Sequence, residues 1–97
     1  MKKQLTELHD LLKERWDAAG KPPGLTEVCL VKMKRLIDGT PKGSDTFRAM
    51  NDALSRFDEW FDCGEPPTPA ELVVIEAARD VMQREVCSKL IKQAAKA

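Results

Sequence analysis

Glycine and proline gather at three places in this chain: Gly20-Lys21-Pro22-Pro23-Gly24, Gly39-Thr40-Pro41-Lys42-Gly43 and Gly64-Glu65-Pro66-Pro67-Thr68-Pro69. Glycine gives up the most backbone freedom on ordering, and proline has no amide proton to donate, so neither continues a helix well. The three clusters therefore divide the chain into four segments. No segment alternates apolar and polar residues with a period of two, and β-branched residues are scarce outside positions 73–75. The apolar residues step instead by three and four, the rhythm of one helical face. These features predict an all-α fold: a small four-helix bundle with short Gly/Pro-rich loops and a long C-terminal helix, in a single domain covering 1–97.

The first helix is expected over about 3–19, with Leu5, Leu8, Leu12, Trp16 and Ala19 on one face, Leu11 widening it, and Gly20 as its stop. The second is expected over about 27–38. Thr26 stands as its N-cap, Leu25 as a staple onto Leu30, and Cys29, Leu30, Met33, Leu36 and Ile37 as its core stripe. The third, over about 45–62, is expected to be capped by Ser44. Its Phe47, Met50, Leu54, Phe57 and Phe61 follow the seam spacing of a bundle, with Ala53 and Trp60 alongside. The fourth, over about 69–93, opens on Thr68-Pro69-Ala70-Glu71. Here the Thr68 hydroxyl can accept from the Glu71 amide while the Glu71 carboxylate reaches back, and Pro69 sits where no donor is missed. One apolar seam of this helix is Leu72, Ile75, Ala78, Met82, Val86 and Leu90, and a second is Val74, Ala77 and Val81. So broad an apolar surface predicts a central helix packed on two sides, or one that also packs on a partner. At 1.5 Å per residue it extends about 38 Å, against about 27 Å for the first and third helices and about 18 Å for the second.

A domain of 97 residues buries only about 60–65% of its unfolded surface, so a partner surface can add much to its stability. Sixteen Lys and Arg balance sixteen Asp and Glu, which argues against both a general nucleic-acid binder and an acidic DNA mimic. Glu7 and Asp10 interrupt the apolar stretch a secretory leader needs, and no run of apolar residues reaches the length that spans a bilayer. A cytoplasmic location is expected. The three cysteines, Cys29, Cys63 and Cys87, are odd in number and lack CxxC spacing. They predict reduced thiols acting as small apolar side chains, with neither a disulfide framework nor a zinc knuckle. The single histidine, His9, has no partner at a catalytic spacing, and Asp58, Glu59 and Asp62 read as solvated charge on the outer face of the third helix. No enzyme, cofactor or metal site is expected.

Charge is uneven along the chain although it cancels. Residues 20–42 hold five Lys/Arg against two acids, and residues 43–67 hold two Arg against six acids. On the second helix, Val28 and Val31 stand off the core stripe beside Lys32, Lys34 and Arg35. They form either a second packing face inside the bundle or an apolar spot rimmed by cations, suited to an acidic protein surface. A helix-turn-helix is disfavoured because the second of its two helices is the acidic one and the connection Gly39–Gly43 exceeds the usual turn. In the third loop Pro66, Pro67 and Pro69 make a rigid connector, an extended strip for an aromatic groove, or a substrate for a prolyl isomerase. With Trp60 they form a second candidate binding patch.

In length, in helical character and in the segment Cys63-Gly64-Glu65-Pro66-Pro67-Thr68-Pro69, the chain resembles the small anti-RecBCD accessory proteins of lambdoid phages. The resemblance implies a non-enzymatic, phage-encoded protein that binds and redirects the host recombination nuclease through its RecC subunit. It assigns no role to individual residues. Two other readings stand beside it: a small dimeric DNA-binding regulator, and a structural module in which the fourth helix forms a homodimer seam.

Overall fold

The computed structural model describes residues 2–64 and 66–96, with 89–96 described as backbone only. Four helices follow one another: α1 (Lys2–Ala18), α2 (Leu25–Asp38), α3 (Gly43–Asp62) and α4 (Pro69–Lys96). No strand occurs among the described residues, so the protein is an all-α bundle. Among those residues, no helix is long and apolar enough to cross a membrane.

All four helices contribute to one core. Leu5, Leu8 and Leu12 come from α1, Cys29, Leu30 and Met33 from α2, Ala49, Met50, Ala53, Leu54 and Phe57 from α3, and Ile75, Ala78 and Met82 from α4. Leu11, Trp16, Leu36, Ile37, Phe47, Phe61 and Val74 pack around them, half-buried. Phe57 and Phe61, one turn apart, stack with ring centroids 6.0 Å apart.

The central helix is α1, which lies against α2, α3 and α4; of the two uses expected for the broad apolar surface of α4, a central place packed on two sides is not what the described residues show. Among the described residues, α4 runs mainly along α1, meets α3 over a short stretch and does not reach α2. Over residues 69–88 its buried side is accordingly narrow, one line of Glu71, Ile75, Ala78 and Met82. Leu72 and Val86, expected in the seam, are exposed, as are Val73 and Ala77, while Val74 and Val81 are half-buried. The Leu90 side chain lies outside the described residues.

Helix ends follow the glycines more closely than the hydroxyl residues. Gly20, at φ 88°, ends α1, with the Lys21 amide donating back to the Trp16 carbonyl at 2.9 Å. Gly24, at φ 147°, starts α2 two residues before Thr26. Thr26 is thus inside the first turn and caps nothing, and Leu25 is exposed instead of stapled onto Leu30. α3 likewise starts from Lys42, whose carbonyl accepts from the amides of Asp45 and Thr46, so Ser44 is already helical. Among the described helix starts, α4 alone opens as a reciprocal box: the Glu71 amide donates to Thr68 Oγ1 at 3.2 Å and the Thr68 amide to Glu71 Oε1 at 3.0 Å. With α3 starting at Gly43 instead of about 45, the connection between α2 and α3 shrinks to residues 39–42. Its length no longer speaks against a helix-turn-helix, whereas the acidity of α3 still does.

Candidate functional site

Because Cys29, Leu30 and Met33 turn one side of α2 into the core, positions 28, 31 and 35 must emerge on the other. Leu25 is 67% exposed, Val28 49% and Val31 47%, so the two valines form no second packing face within the bundle. They make an apolar strip along the first half of α2, and Lys32, Lys34 and Arg35 follow it in the second half. Lys34 pairs with Asp38 at 3.4 Å. Lys32 and Arg35 have no ion-pair partner among the described residues.

The strip continues into a groove on each side. Toward α1, Trp16, Leu30 and Val31 floor an open groove of about 520 Å³, whose rim mixes Lys13, Lys34 and Arg35 with Asp10 and Glu27. Toward α3, a groove of about 420 Å³ is lined by Cys29, Lys32, Leu36, Arg48, Ala49 and Asp52. Burial pushes the Cys29 thiol up to about 11, Asp52 adds to the shift, and Arg56 and Lys32 oppose it. The thiol is therefore protonated at neutral pH and is a poor nucleophile. It is also the one cysteine that behaves as a core side chain, since Cys63 and Cys87 are exposed. His9 is largely covered, with Nδ1 3.1 Å from Asp10 Oδ1. No cluster of three His, Cys, Asp or Glu side chains able to hold a metal ion occurs among the described residues.

The second candidate patch is dispersed. Pro66 and Pro69 are exposed and Pro67 is half-buried. Trp60 is half-buried too, outside the core and its fringe. The aromatic residue tied to the proline loop is its neighbour Phe61. Arg15, from the last turn of α1, lies with its guanidinium carbon 5.1 Å from the centre of the Phe61 ring. The same guanidinium donates to the Pro66 carbonyl at 3.1 Å and, through Nε and Nη2, to both carboxylate oxygens of Glu71. Such a fork-on-fork pair is the strongest geometry available to these groups. The Arg15 hydrogen bonds, aided by those from Thr68, hold the Glu71 carboxyl at about 2, against the opposing pull of its burial. The third loop is therefore braced as a connector, by a residue that the sequence patterns do not single out.

Since Val28 and Val31 face outward, Val28→Asp and Val31→Asp are each expected to change unfolding free energy by no more than about 0.5 kcal/mol. Urea denaturation checks this. A loss like that of a core substitution would mean that these side chains are covered.

Compared with family models, curated proteins and solved structures, the chain matches none.

Proposed function

We propose that this chain is a non-enzymatic interaction protein that docks on a larger protein, and that α2 carries the contact. The observation behind this reading is the exposed strip Leu25-Val28-Val31, followed along the same helix by the unpaired cations Lys32 and Arg35. An apolar centre with a charged rim is how protein interfaces are built. The resemblance of the chain to the anti-RecBCD accessory proteins names the target: the RecC subunit of the host nuclease, met in the host cytoplasm by a phage-encoded inhibitor or modulator. The exposed Pro66 and Pro69 offer a further contact, to a prolyl isomerase.

The test is capture of purified RecBCD, and of RecC alone, on the immobilised chain, with nuclease activity measured on linear duplex DNA. A stoichiometric complex with altered nuclease activity is expected, and Val28→Asp/Val31→Asp should abolish it while leaving the melting temperature in place. Failure of the folded chain to bind at micromolar concentration would overturn the RecC assignment.

A further inference from the structure

The bundle leaves one side of α4 without a neighbour among the described residues. On that side Val73, Ala77, Asp80, Arg84 and Cys87 step by four, three, four and three, and all are exposed. This is the spacing of a helix-pairing seam, and it lies opposite the buried line of Glu71, Ile75, Ala78 and Met82. α4 also outruns the helix it packs on. Arg15, near the end of α1, meets Glu71 at the start of α4, so the two helices run antiparallel. At 1.5 Å per residue, α1 from Arg15 back to Lys2 covers about 20 Å, which brings its start level with about residue 84 of α4. The fourth helix continues to Lys96, and Val86, which follows Met82 along its length, is 42% exposed. A few helical turns without tertiary contact are marginal in water, so this part of α4 has surface to cover.

We propose that α4 pairs with the α4 of a second copy of this chain, antiparallel, about a two-fold axis level with Met82. The seam is self-complementary in that register, where positions equidistant from residue 82 face each other. Asp80 meets Arg84 of the second copy, and Arg84 meets its Asp80. Ala77 meets Cys87, two small side chains that let the backbones approach, and Val73 meets position 91, an isoleucine in the sequence. Within one chain Asp80 and Arg84 are 2.9 Å apart, with more than half of each side chain exposed, so this weak pair exchanges across the seam at little cost. A parallel pair would set Asp80 against Asp80 and Arg84 against Arg84. The remaining charges of α4 do not oppose the antiparallel register. Glu71 is held by Arg15, and Arg79 by Asp58 of α3 at 2.9 Å. By the helical period, positions 85, 89, 92 and 96 fall on the bundle-facing half of the helix. Glu76 borders the seam, and the seam charge nearest to it across the axis is Arg84 of the second copy. The pairing lays the projecting turns of each α4 along the first half of the other. It leaves α2 open, since α4 does not reach α2 among the described residues.

Sedimentation velocity of the reduced full chain, from about 1 μM to about 500 μM, is expected to show reversible passage from the 10.9 kDa monomer to twice that mass. Asp80→Arg places like charges at both central contacts and should weaken the dimer by about tenfold or more. Asp80→Arg/Arg84→Asp restores complementarity and should recover it, with far-UV circular dichroism unchanged in both variants. The register has its own test. Ala77→Cys in a Cys63→Ser chain should form a covalent dimer on mild oxidation with copper phenanthroline, because positions 77 and 87 face each other. The Cys63→Ser chain alone should not, because its two Cys87 residues lie about 15 Å apart along the axis. A chain that stays monomeric throughout would overturn the proposal. So would a dimer that Asp80→Arg leaves unchanged or that the double substitution fails to recover, or oxidation that links both Cys63→Ser chains equally. Capture of RecBCD, which rests on α2, is judged separately from all of these.

Discussion

Arg15→Ala is expected to destabilise the protein by about 3–5 kcal/mol at neutral pH, the range for breaking a buried pair by removing one partner. Glu71 is only 6% exposed, and the substitution leaves its carboxylate with Thr68 as its remaining hydrogen-bond partner among the described residues. The same change frees the Pro66 carbonyl and uncovers the Phe61 ring. Arg15→Lys keeps the charge but loses the fork, and should recover only part of the loss. The pH dependence separates this account from simple loss of packing. The Glu71 carboxyl is held at about 2 in the folded protein, against 4.5 in the absence of its partners. A lowered carboxyl contributes stability that is fully present above about 4.5 and is lost as pH falls toward 2; here that contribution is about 3 kcal/mol. Urea melts at intervals from pH 7 to pH 2 should show this acid loss in the native chain and a clearly smaller one in Arg15→Ala. Parallel pH profiles for the two proteins would show that the pair does not hold α4 in place.

Phe57→Ala should cost about as much, 3–5 kcal/mol, by a different mechanism. Phe57 is fully buried among side chains of the core, so its removal leaves a cavity that the surrounding helices fill only in part. A domain of 97 residues has only about 5–15 kcal/mol of total stability, so either substitution brings it close to unfolding. The two sites are linked through Phe61, which stacks on Phe57 and lies under Arg15. Their combined effect should therefore depart from the sum of the singles by at least about 0.5 kcal/mol, measured as a double-mutant cycle by chemical denaturation. Strict additivity would mean that the Phe61 ring transmits nothing between them.

Much of the candidate site was legible as a list of residues and not as a surface. The spacing of Val28 and Val31 placed them off the core stripe, but the same spacing served a second packing face equally well. Only the position of the other helices decides between those uses, and among the described residues none of them covers that side of α2. Trp60 shows the converse. An aromatic beside a proline loop reads as an anchor, yet the residue linked to that loop through Arg15 is Phe61. Arg15 itself carried no local signal. The capping box at Thr68 and Glu71 leaves a carboxylate in want of a cation, and the cation arrives from 56 residues away.

What the sequence determined alone are the features whose causes lie within about a turn of chain. The four helices, their breaks at the glycine and proline clusters, the Thr68–Glu71 box, the Leu5, Leu8 and Leu12 line of α1 (though not Ala19, which is exposed beyond its end) and the core stripe of α3 all belong here, because periodicity and capping depend on near neighbours. The tertiary structure decided that α1 and not α4 is central, that Leu72 and Val86 stay exposed, that α2 keeps an apolar strip in solvent, and that Arg15 closes on Glu71. An apolar stripe states that a helix has surface to cover. Which surface is covered, and by what, depends on how four helices share one small core, and no single segment carries that information.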